Sequence, residues 1–194
     1  MDNQTDNQNS SNPTEAPAEI QIQLVVFRLD NEEYCCELTE LKEIIRLTEI
    51  TPVPNAPEYV KGIINLRGKI VVIVDLEKKF QLIHQSSNQP EHIIVIASNN
   101  SLFGVIVDKV TEVLRISKQK INPAHNLTNL KINQEFLKGV VILNEKNAEN
   151  KEDNNSQPID PNSKSRLIIM LDIKKLLETD HLEKLVISNN NPTI

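Results

Sequence analysis

Apolar residues along this chain come in short runs, not at helical spacing. Residues 22–29 and 92–97 form two such runs. Each is followed by a polar turn, Leu29-Asp30-Asn31-Glu32 or Ser98-Asn99-Asn100-Ser101, and then by a second apolar run. That pattern predicts a β-hairpin in each place. A third strand is expected over 43–50 and 112–117, and two more surround each Lys-Gly element and the Asp that follows it. Asp75 and Asp172 end apolar runs and precede short Lys-rich turns, where an Asp side chain caps a helix start. Capping, not catalysis, is therefore their expected role.

The two halves are versions of one another. Residues 24–47 align without a gap on residues 93–116, an offset of 69 (93 − 24). Asn31 meets Asn100, Glu43 meets Glu112 and Arg46 meets Arg115, while Tyr34 falls on Phe103, Leu41 on Val110 and Ile44 on Val113. Downstream, residues 60–64 match 137–141 at an offset of 77 (139 − 62), and the run from Lys69 matches that from Arg166 at an offset of 97 (172 − 75). The change in offset marks an insertion, the Asn-rich stretch 144–165. Lobe one is expected over about 22–80 and lobe two over about 91–177. Lobes this small bury too little surface to stand alone, so an apolar interface should join them. Five short strands per copy suggest two small antiparallel barrels, which hide their sheet edges.

Composition sharpens this picture. Hydrophobic residues make up 39% of the chain but aromatics only 3%, so Ile, Val and Leu must fill the core. The net charge of −6 and the lack of a basic cluster interleaved with aromatics argue against nucleic-acid binding. The polar start of the chain does not resemble a signal peptide, and no apolar run reaches the ~20 residues of a membrane span. A cytoplasmic protein with no direct membrane insertion is expected. Residues 1–19 and 188–194 are too polar to repay ordering and are expected to be disordered, leaving a domain over 20–187.

Cys35 and Cys36 are adjacent, too close for a relaxed disulfide, and on a strand they should point to opposite faces as small apolar residues. The four glycines lie too far apart for a phosphate-cradling loop. His84, His92, His125 and His181 have no metal-ligand spacing, so no metal and no cofactor is expected. No nucleophile elbow occurs, and Glu40 and Glu43 read as an exposed face; nothing points to an enzyme. The distinctive feature is Asn65-Leu66-Arg67-Gly68 between two apolar strands. Gly68 supplies the backbone angles of a tight turn and Arg67 stands at its tip. The arginine is either a solvated turn cation or a recognition residue whose fork suits a partner carboxylate or carbonyl.

The stretch VKGIINLRGKIVVIVDLEKKF, residues 60–80, resembles the most characteristic segment of the CheW family. So do LVVFRLDNEEY at the start, Leu41-Lys42-Glu43-Ile44-Ile45 with Thr51-Pro52-Val53-Pro54 after it, and FGVIVDKVTEVLRI at 103–116. The resemblance runs from about residue 22 to 187. It implies a mainly β fold of two intertwined, five-stranded, SH3-like barrels with few short helices. It also implies a non-catalytic adaptor between the cytoplasmic tips of chemoreceptors and the regulatory domain of a chemotaxis histidine kinase, recruited to membrane-associated arrays. A scaffold of another chemosensory pathway is the alternative. By motif position, Arg67 and Glu43 would be polar partner contacts. Leu41, Gly62, Val110 and Val113 would lie on or near the receptor-facing surface between lobes, and lobe-one strand edges would meet the kinase. The chain departs from the family at Cys35-Cys36, where a glycine and an apolar residue are common, and in the length of its insertion.

Overall fold

The computed structural model describes residues 19–82, 89–98, 101–123, 132–144 and 165–178. Residues 1–18, 145–164 of the insertion and the closing residues 188–194 lie outside the described residues, as do Asn99, Asn100, His84, His125 and His181.

The predicted hairpins form. β1 (Gln21–Leu29) pairs antiparallel with β2 (Glu32–Glu37), and β6 (His92–Ser98) with β7 (Ser101–Val107). Asp30 takes the left-handed backbone (φ 55°) that a two-residue turn needs. The third strands are β3 (Leu41–Arg46) and β8 (Lys109–Ser117). β3 starts and ends earlier than the expected 43–50. Pro52 and Pro54 cannot donate to a ladder, and the chain swings away so that Thr51 bridges Ile63 instead. The later strands are β4 (Val60–Leu66), β5 (Lys69–Asp75), the two-residue β9 (Ile121–Asn122), β10 (Leu137–Asn144) and β11 (Ser165–Leu171). Helices α1 (Leu76–Lys79) and α2 (Ile173–Leu177) follow the two aspartates. Asp75 and Asp172 accept hydrogen bonds from the backbone N–H of Lys78 and Lys175, each at 3.1 Å, as N-caps do.

These strands form two sheets, ordered β8-β1-β2-β11-β10-β9 and β3-β6-β7-β5-β4. Each sheet closes the same way: the chain leaving its third strand returns to pair with its fourth, through Thr51 and Ile63 in one and Asn122 and Val140 in the other. The fold is thus mainly β, with two barrel-like sheets and short helices. Neither sheet is a contiguous stretch. The hairpin β1–β2 is completed by β8–β11, and the hairpin β6–β7 by β3–β5. The chain crosses between sheets at Leu38–Glu40 and again at Asp108. The copies bounded at 22–80 and 91–177 therefore exchange hairpins and are not themselves the two sheets. Parallel pairs seal the exchange in matching register, Ile168 with Glu33 and Val71 with Leu102.

Period-2 alternation then sorts the side chains into three cores. Leu24, Val26, Cys35, Ile116, Val141, Ile168 and Met170 fill the first sheet, and Ile64, Val71, Ile73, Ile93, Val95 and Ile106 fill the second. The largest core lies between the sheets and draws on both, with Phe27, Tyr34, Cys36, Val72, Val105, Phe103 and Leu171 joined by Leu76 and Leu176 from the helices. This is the apolar interface that small lobes require.

Cys35 and Cys36 do face opposite ways, one into the first sheet's interior and one into the central core. Both are fully buried and free. Burial pushes the Cys35 thiol up to about 12 and, reinforced by Glu40, raises that of Cys36 as well. Only thiolate reacts readily. Neither cysteine should label with a thiol reagent in the native protein near neutral pH, and both should label on unfolding. Rapid native labelling of either would contradict this packing.

Candidate partner-binding surface

The Arg67-Gly68 turn joins β4 to β5 with just these two residues at its tip, both in the left-handed region at φ 53° and 81°. This is the signature of a type I′ hairpin turn, in which Asn-Gly is the favoured pair. Gly68 fits at no cost. Its N–H donates to Asn65 Oδ1 at 2.8 Å, which pins the turn. Arg67 is the unusual choice, since a side chain with a Cβ costs about 1–2 kcal/mol in this conformation relative to glycine. The gain is position: its side chain is 79% exposed, held out at the tip of the hairpin.

Glu43 reaches that tip from β3, an edge strand of the same sheet. Its carboxylate lies 3.0 Å from Arg67 Nη2, so the two polar residues singled out from the sequence are brought together as an ion pair. Glu43 is half-buried and Arg67 is not, which fixes the carboxylate and leaves most of the guanidinium's five donors facing outward. Along β3 the alternation places Leu41, Glu43 and Ile45 inward and Lys42, Ile44 and Arg46 outward.

The remaining residues fall into two groups. Leu41 and Val110, equivalent by the repeat, are half-buried at the rim of the central core, one from each sheet. Val113 points outward from β8, as its repeat mate Ile44 does from β3, and both are exposed apolar side chains. Gly62 is buried. A Cβ there would lie 2.2 Å from the Thr51 carbonyl oxygen, so the glycine admits the closing strand and presents no surface of its own.

Two ionic clusters escaped the sequence reading. Glu40 was expected on an exposed face but is buried: its carboxylate accepts from Lys138 Nζ at 2.7 Å, and Glu37 lies 3.3 Å from the same nitrogen. Burial disfavours the Lys138 ammonium, but Glu40 and then Glu37 outweigh it and hold its pKa above the ordinary lysine value. The second cluster joins Arg166 of β11 to Glu33 of β2 and Glu112 of β8. Both span more than fifty residues of chain, beyond any local pattern. The available signal was a mismatch in the repeat: Glu40 aligns with Lys109 and Glu33 with Leu102. Among the described residues no group of His, Cys, Asp and Glu is placed to hold a metal ion, and no helix is long and apolar enough to cross a membrane.

Known proteins resemble this chain in sequence and in fold. The chain matches the CheW-like domain over residues 23–181. It is 30% identical to a chemotaxis protein CheW of Klebsiella aerogenes, over 82% of this chain and 84% of that one. Its identity to the chemotaxis protein CheW of Treponema pallidum is 29%, over 85% and 87% of the two chains. The crystal structure of the scaffolding protein TtCheW from Thermoanaerobacter tengcongensis superposes with a TM-score of 0.64 at 28% identity, covering 88% of this chain and 96% of that one. The profile match spans the duplicated sheets, both crossovers and the Arg67 turn alike, and by it the chain belongs to the CheW-like domain family.

Proposed function

We propose that this protein is a non-catalytic chemotaxis adaptor that couples the cytoplasmic tips of chemoreceptors to the regulatory domain of a histidine kinase. The observation that carries the proposal is Arg67, kept in a costly backbone conformation at an exposed tip and steadied by Glu43. A residue needed only for the turn would be Asn or Gly. Family membership supports the adaptor role, as do relatives named for chemotaxis and for scaffolding. In this reading Arg67 and Glu43 are polar contacts, and Leu41, Val110 and Val113 supply the apolar part of the surface. Gly62 acts by holding β4 in place. The protein would work in the cytoplasm, recruited to receptor arrays.

Contacts of about 800 Å² per partner allow reversible assembly, and many together give an array its avidity. Calorimetric titration with the regulatory domain of a histidine kinase from the same cell should show saturable binding at micromolar or tighter affinity. Receptor tips are the second titrant. Arg67→Ala is expected to cost about 1–3 kcal/mol at one of the two contacts, roughly 5- to 150-fold. Arg67→Asn serves as a control: it suits the turn, so stability should hold or rise while affinity falls. Unchanged affinity of Arg67→Ala for both partners, with the fold intact, would remove Arg67 from the interface.

A further inference from the structure

The duplication supplies two Glu–Arg pairs, and they are not alike. In each copy the third strand carries the glutamate, Glu43 on β3 and Glu112 on β8, equivalent at the offset of 69. In each, an arginine from the hairpin between the fourth and fifth strands, or from the start of the fifth, reaches it. Among the described residues Arg67 makes one ion pair, at 3.0 Å, and its side chain is 79% exposed. Arg166 is 33% exposed. Its Nη1 lies 2.6 Å from Glu112, while its Nε and Nη2 donate to the two oxygens of Glu33, the latter at 2.8 Å.

Glu33 makes the difference. The matching parallel registers, Ile168 with Glu33 and Val71 with Leu102, show that Leu102 stands in the other sheet where Glu33 stands in this one. One guanidinium against two carboxylates leaves a local charge of −1 at Arg166, and one against one leaves zero at Arg67. A partner carboxylate approaching Arg166 meets a fork already engaged on both edges and a net repulsion. At Arg67 it meets open donors.

We propose that Glu33 is a specificity-determining residue: by engaging Arg166 it closes the second copy's Glu–Arg pair and confines partner recognition to the pair of Arg67 and Glu43. The proposal rests on the reading of Arg67 as a contact. Its physical purpose is orientation, since a duplicated fold with two open arginines offers a partner two ways to dock, and closing one leaves a single way.

The test uses the full chain and Glu33→Leu, which installs the residue of the other copy. Glu33→Gln, which keeps the shape and removes the charge, repeats it should leucine impair folding. Labelling with an arginine-selective dicarbonyl, read by mass spectrometry, should modify Arg67 about tenfold faster than Arg166 in the wild type, and the Arg166 rate should rise by about that factor in the variant. Titration with the kinase regulatory domain should show one binding event in the wild type and a second, weaker one in Glu33→Leu, abolished by adding Arg166→Ala. Slow Arg166 labelling in the variant would overturn the closure. Fast labelling with a single binding event would overturn the confinement. Arg67→Ala binding as tightly as the wild type would instead remove the underlying reading, and the proposal with it, while the labelling still reports on Glu33 and Arg166 separately.

Discussion

Gly62→Ala is expected to destabilise the protein by roughly 3–5 kcal/mol, an effect set by backbone geometry and not by side-chain loss. Gly62 sits at φ 146°, which L side chains rarely adopt, and its absent Cβ leaves room for the Thr51 carbonyl oxygen and Ile50 Cγ2. Alanine would strain the backbone and push out the segment that closes the second sheet. That segment is tied by two hydrogen bonds, Thr51 N to Ile63 O at 2.9 Å and Ile63 N to Thr51 O at 2.8 Å. The strain amounts to about 1–3 kcal/mol, and each lost hydrogen bond adds about 0.5–1.5 kcal/mol. Gly139 and Gly68 act as internal controls. At Gly139 an added Cβ meets Asn122 O at 2.6 Å, without the positive φ, so a smaller loss is expected. At Gly68 nothing lies within 4 Å, and only the φ of 81° opposes alanine. Chemical denaturation should rank the losses Gly62, then Gly139, then Gly68. A Gly62→Ala loss no greater than that of Gly68→Ala would show that the closing contact contributes little.

Lys138→Met should cost a similar amount, about 3–5 kcal/mol, for an electrostatic reason. The Glu40 side chain is only 7% exposed, and one of its oxygens, Oε2, has no hydrogen-bond partner among the described residues. Removing the ammonium leaves a buried carboxylate that has lost its ion-pair partner. Glu40→Gln added to Lys138→Met should recover most of the loss, because a neutral amide is far cheaper to bury. The pH dependence has a definite sign. The folded-state pKa of Lys138 lies above the unfolded value, so its stabilisation is complete below the ordinary lysine pKa of 10.5 and is lost as pH rises through the higher folded-state value. The stability curves of wild type and Lys138→Met should therefore run apart at neutral pH and converge only under strongly alkaline conditions. Parallel curves through that range would rule out the ion pair as the cause. Glu40 immediately precedes Leu41 on β3, so partner affinity should fall along with stability in this variant.

Much of the fold was legible because it is written twice. Tyr34 opposite Phe103, and Glu43 opposite Glu112, reveal the duplication, and Asp75 and Asp172 announce the two helix starts by capping chemistry alone. What residue patterning does not contain is the identity of a strand's neighbour. Val72 and Val105 alternate the same way whether their hairpins belong to one copy or are traded between two, because period-2 burial specifies a face and says nothing of the adjacent strand. The exchange was expected only through the family resemblance. The candidate surface divides likewise. Arg67 was conspicuous at a glycine turn, and Glu43 was named beside it, but their contact depends on the sheet curling until β3 approaches the tip of the β4–β5 hairpin. Glu33 with Arg166 lies further out of reach, since the two are 133 residues apart and each looks like an ordinary surface charge.

The traded hairpins leave the molecule without a separable half. Cutting the chain between Leu82 and Gln89 would give one piece holding β1–β5 and another holding β6–β11, and neither piece could complete a sheet without the other. The halves should thus melt in one transition, since losing either sheet strands the hairpin it has lent. High sequence separation between paired strands, as between β2 and β11, also places the molecule among slow folders. In the proposed adaptor role this linkage would be mechanical. A displacement imposed on one sheet would be carried to the other through the strands that the two have exchanged.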